Sequence, residues 1–227
     1  MGITIHWELE APPGKPETAA AKLEQVRQSC LKLPLKELGE VEHIRPRTCA
    51  AMHRRELRRG RQDELYWAVF CARKYVPTGR GSAPLRPLEV VRLPLLAGEE
   101  CETTVFVLAR YPGEEGWSGE GFTKTQYATH FVESHLLVIA ALEACRAAGI
   151  LKEVVDEGGF WETRDLKELA KNLNATTALI ERVLGSLREC GWSVASPIEE
   201  SRNIMRVADG DGRDAGGGAR RRRPGLR

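Results

Sequence analysis

Ile3-Thr4-Ile5-His6-Trp7-Glu8-Leu9-Glu10 alternates apolar and polar side chains without a break. An extended chain sends successive side chains to opposite faces, so this stretch predicts a strand with one buried face and one wet face. Ala11-Pro12-Pro13-Gly14 ends it, and Pro16 suits the first turn of a helix, where its missing N–H is not needed. Leu23, Val26, Cys30 and Leu33 then recur at helical spacing until Pro34 stops the helix. Residues 40–44, 65–76, 88–96 and 103–110 read as further strands, the last two joined by the acidic turn Gly98-Glu99-Glu100-Cys101-Glu102. Tyr111-Pro112-Gly113 punctuates the chain, and a glycine-rich loop is expected as far as Gly121.

Beyond that loop, residues 131–148 are apolar nearly all round, which predicts a central helix covered on most sides and ended at Gly149. A short strand over 152–156 and a turn at Gly158-Gly159 follow. Asp165 with Glu168 three residues on resembles a capping box, and two helices are expected over 166–173 and 176–190. The fold class is therefore α+β: a mostly antiparallel sheet with helices packed on one face and a helical C-terminal part. Residues 1–205 read as one domain with a helical subdomain at about 165–191, and residues 206–227 as a disordered Arg/Gly-rich tail.

With 227 residues and 42% hydrophobic composition the chain has enough apolar material for a core. No apolar run approaches the ~18 residues of a membrane span, and the N-terminus has no signal-peptide pattern, so a soluble cytoplasmic protein is expected. Six scattered cysteines (Cys30, Cys49, Cys71, Cys101, Cys145 and Cys190) lack the close pairing of a zinc site and read as free thiols. Net charge is +2, but the tail from Arg206 carries seven arginines against three aspartates, leaving the rest slightly acidic. Arg220, Arg221, Arg222 and Arg223 could make weak contact with a polyanion. The internal basic stretch Arg45, Arg47, Arg54, Arg55, Arg58, Arg59 and Arg61 reads as a wet connection between strands.

Three blocks occur together: Gly2-Ile3-Thr4-Ile5-His6, Gly121-Phe122-Thr123-Lys124-Thr125-Gln126-Tyr127-Ala128, and Asp156-Glu157-Gly158-Gly159-Phe160-Trp161-Glu162. The segment from Pro94 to Tyr111 fits the same pattern. Over about residues 2–195 this resembles a family of uncharacterised bacterial proteins, in which such blocks flank an apolar helix bearing a histidine, here His135. The resemblance implies kinship and no activity. The stretch between Ala128 and Phe131 is shorter than in that family, and the Arg-rich tail is this chain's own.

Lys124, Gln126 and Tyr127 precede the central helix, His135 lies in its first turns, and Asp156, Glu157, Trp161 and Glu162 follow it. Such groups around one buried helix suggest a polar pocket for a small molecule or protein partner. An enzyme using His135 and Glu157 as an acid–base pair is the alternative in the same pocket. The structural alternative makes Lys124 and Glu157 an ion pair, with His135 and Trp161 in the core. Cys101 sits among carboxylates that would suppress its thiolate. No metal motif appears, since His130 and His135 are five residues apart, and no phosphate-binding loop, dinucleotide fingerprint or nucleophile elbow points to a cofactor. A rival reading makes 166–190 a helix-turn-helix of a DNA-binding regulator, with Asn174 in the turn and Lys171, Thr176 and Thr177 near the duplex. Its second helix offers Arg182 and Arg188 but also Glu181 and Glu189, so it has no basic face.

Overall fold

In a computed structural model of the chain, residues 3–47, 74–79, 81–85, 87–126, 128 and 130–189 are described. Strand β1 (Thr4–Ala11) lies inside a seven-stranded sheet between β8 (Trp117–Lys124) and β9 (Leu151–Asp156). The sheet continues through β7 (Thr104–Arg110) to β6 (Glu89–Leu96), which pairs with two short strands, β2 (Glu37–Leu38) and β3 (Glu42–Ile44). All these pairings are antiparallel. A separate hairpin joins β4 (Tyr75–Thr78) to β5 (Gly81–Pro84).

The alternation along β1 sets the layers. Ile5, Trp7, Leu9 and Ala11 are buried, whereas His6 and Glu10 are exposed. The buried side faces helix α1 (Pro16–Cys30), which turns Ala19, Leu23, Val26 and Cys30 inward, and helix α2 (Phe131–Ala147). The two helices pack on each other, α1 also on β6 and α2 also on β9. Helix α2 buries residues around most of its circumference, as an apolar helix between a sheet and a neighbouring helix must. Gly149, at φ +70°, turns the chain from α2 into β9.

The opposite side of the sheet is divided. Over β3, β6 and β7 a second apolar cluster forms from Ile44, Val90, Val107, Ala109 and Tyr111. Over β8, β1 and β9 the same side carries Glu120, Glu8 and Glu153 abreast, then Phe122, His6 and Val155. Beyond β9 come the short helix α3 (Phe160–Thr163) and the 24-residue helix α4 (Leu166–Glu189). Leu169 of α4 packs with Ile3 and Phe131, and Asn172 Nδ2 donates to the Gly158 carbonyl at 3.1 Å.

The α+β class and the antiparallel sheet agree with the sequence reading, and three local expectations are corrected. The end of the glycine-rich stretch, from Trp117 onward, is strand β8 and not loop. An added Cβ at Gly121 would lie 2.5 Å from the Trp7 indole, and one at Gly119 would lie 2.0 Å from the Val107 carbonyl oxygen, so these glycines mark close approach rather than a turn. The strand expected over 40–44 is shortened to β3, and the separate short strand β2 precedes it across Gly39, whose N–H donates to the Pro94 carbonyl at 2.9 Å. A Cβ there would lie 2.7 Å from the proline ring. The two helices expected over 166–173 and 176–190 are one, and Asn174 lies inside it. Asn lowers helix propensity by less than ~1 kcal/mol, and the three–four spacing of Leu166, Leu169, Leu173, Ile180, Val183 and Leu187 runs straight through it. The helix-turn-helix turn is therefore missing.

The strand expected over 65–76 falls largely outside the described residues, with only its end entering β4. The tail from 206 lies outside them as well, as do Cys49, Cys71 and Cys190. Cys30, Cys101 and Cys145 are free and buried. Among the described residues no helix is long and apolar enough to cross a membrane.

Candidate functional site

The strand pleat decides which acidic residue reaches the central helix. Asp156 pairs with Ile5 across the β1–β9 ladder and so shares Ile5's helix-facing side. There its Oδ2 lies 3.2 Å from His135 Nε2, and His135 Nδ1 lies 2.9 Å from Thr125 Oγ1. Asp156 Oδ1 also accepts the Gly158 N–H at 2.8 Å, and Oδ2 accepts the Trp161 N–H at 3.0 Å. Nε2–H donates to the Asp156 carboxylate, and Nδ1 shares a hydrogen bond with the Thr125 hydroxyl whose direction follows the tautomer of the ring. Burial alone would raise the Asp156 pKa. The hydrogen bond and charge of His135 and the two backbone N–H groups outweigh it and hold the carboxyl below its ordinary range. The His135 and Asp156 side chains are both 0% exposed.

Of the residues singled out from the sequence, His135 and Asp156 meet, and Trp161 joins them through its backbone. Gln126 is buried nearby and accepts the Ile3 N–H at 2.8 Å, tying the start of β1 to the approach to α2. Glu157, one residue past Asp156, is exposed, accepts the Thr4 N–H at 2.9 Å and lies 3.8 Å from His6 Nε2. Its partners are thus His6 and Thr4. Lys124 lies 4.0 Å from Glu102 at the surface, so the expected Lys124–Glu157 pair is replaced by two separate ones. The Trp161 ring is flanked by the guanidinium groups of Arg146 and Arg164 at 4.9 and 4.7 Å, each also paired with Glu143. Glu162 is exposed, and Tyr127 lies outside the described residues. Burial pushes the Cys101 thiol up to about 11, with Thr123 opposing and Glu102 adding to the rise, so it is a poor nucleophile.

The side of the sheet away from the helices holds what the sequence reading missed. A shallow depression of about 70 Å³ is lined by Glu8, Glu10, Lys74, Tyr111, Glu120 and Lys152. Glu8 stands directly opposite Glu120 on one neighbouring strand and Glu153 on the other. Like charges so placed repel. A bulge in β9 makes the register pass from Glu8↔Glu153 to Leu9↔Leu151, and the extra residue, Lys152, places its Nζ 2.9 Å from Glu8 Oε2. Partial burial, and then Glu8, raise the Glu120 pKa against the opposing pull of Lys74 and Lys152. Beside this row His6 and Phe122 rings pack at 5.9 Å, and Val155 is 52% exposed. The even positions of β1 were the available signal. Their partners on β8 were hidden because that strand reads as a loop.

Among the described residues no group of three His, Cys, Asp or Glu is placed to hold a metal ion. Comparison with protein-family models, curated proteins and solved structures gave no match.

Proposed function

We propose that this chain is a binding domain, and that its ligand or partner meets the open half of the sheet over β8, β1 and β9. The observation that carries the reading is the row Glu120–Glu8–Glu153, three carboxylates abreast on adjacent strands beside the depression. Repulsion built into an otherwise regular strand surface is disfavoured for folding alone and is relieved by a cationic ligand. The preferred partner is therefore a small polyamine or a basic segment of another protein. The polar cluster at His135 supports an acid–base enzyme less well, because its groups are closed off and already satisfied by one another. The acidic sheet face and the single helix α4 likewise give little support to duplex binding.

Calorimetric titration of the full chain with spermidine and with an oligo-arginine peptide tests this. Binding should weaken with salt and disappear in the Glu8→Gln/Glu120→Gln double variant while the melting transition is kept. No binding of either probe at low salt, or equal binding by the variant, overturns the proposal.

A further inference from the structure

We draw no further inference here: the strongest candidate, the apolar stripe along helix α4 marked by Leu166, Leu169, Leu173, Ile180, Val183 and Leu187, carries nothing, because beyond the packing of Leu169 and Leu173 against Ile3 and Phe131 nothing among the described residues shows what covers it.

Discussion

The two faces of strands β8, β1 and β9 solve opposite problems with adjacent residues. On the helix side, Asp156, His135 and Thr125 are buried among Ile5, Phe131 and Ile3, and each polar group has its partner. On the other side, Glu120, Glu8 and Glu153 face solvent as a repelling row, with Lys152 inserted by a bulge and Lys74 lining the same depression. A buried charge without partners would be too costly to keep, so completeness on the closed side reports on folding. Solvent screens the open row, so its repulsion is cheap enough to persist, and incomplete pairing there leaves room for a ligand.

The largest test of this contrast compares neighbours in sequence that lie on opposite faces. Asp156→Ala strands His135 Nε2 and leaves the Gly158 and Trp161 N–H groups without their acceptor. It should destabilise the fold by about 3–5 kcal/mol, the usual result of breaking a buried pair from one side. Glu157→Gln removes an exposed carboxylate and should change stability by less than about 1 kcal/mol. Urea unfolding of both variants checks this. Similar losses for the two would end the distinction between the faces.

Gly121→Ala tests the packing beneath the same strands. Its new methyl would press on the Trp7 indole, which is 3% exposed and has little room to move. A loss of about 1–3 kcal/mol is expected, read as a lower urea midpoint with an unchanged slope. Stability equal to the parent would mean that Trp7 repacks freely and that glycine is not required there.

Much of the closed side was legible because burial writes a period into the chain. Ile5, Trp7 and Leu9 on β1, Leu23, Val26 and Cys30 on α1, and the apolar run of α2 all announced their elements. The rest was not legible, for three local reasons. Gly119 and Gly121 look like turn residues, yet they are there because Val107 and Trp7 come so close. His135 was expected to meet Glu157, but pleat phase at the end of β9 hands that role to Asp156, and a one-residue choice of this kind depends on cross-strand register. Lys152 reaches Glu8 only through the bulge, which has no composition signature. Helix α4 failed in the opposite direction, since Asn174 suggested a turn that the continuous apolar spacing overrides.

A smaller effect should come from Thr104, whose buried hydroxyl has no hydrogen-bond partner among the described residues, an exception to the pairing found around Asp156. Thr104→Val keeps the shape and removes the unpaired group. It should stabilise the protein by about 1 kcal/mol, seen as a rise in melting temperature. A loss of stability would show that the hydroxyl is satisfied in solution, for example by a water.

The smallest expected effect is the most direct comparison of the two faces, because it uses pH to address them separately. Glu120 has a raised folded pKa, so its ionisation opposes folding at neutral pH. As pH falls through that raised value the penalty is relieved, and the gain is complete once pH is below the unfolded value of about 4.3. Asp156 has a lowered folded pKa, so its contribution is present above its unfolded value of about 3.9 and is lost as pH falls through the lower folded value. Stability should therefore rise slightly from neutral pH toward the ordinary glutamate range and then fall below about 3.9. Glu120→Gln should flatten the rise, adding a few tenths of a kcal/mol at pH 7 and nothing in acid, since cross-strand repulsion at a solvated site is worth no more. The acid fall should remain in that variant and be reduced in Asp156→Asn. Urea midpoints at pH 7, 5, 4 and 3, at low and high salt, separate the two slopes. A rise that survives Glu120→Gln would place the repulsion elsewhere on the sheet, and a rise insensitive to salt would mean that burial of Glu120 raises its pKa with no contribution from the neighbouring Glu8.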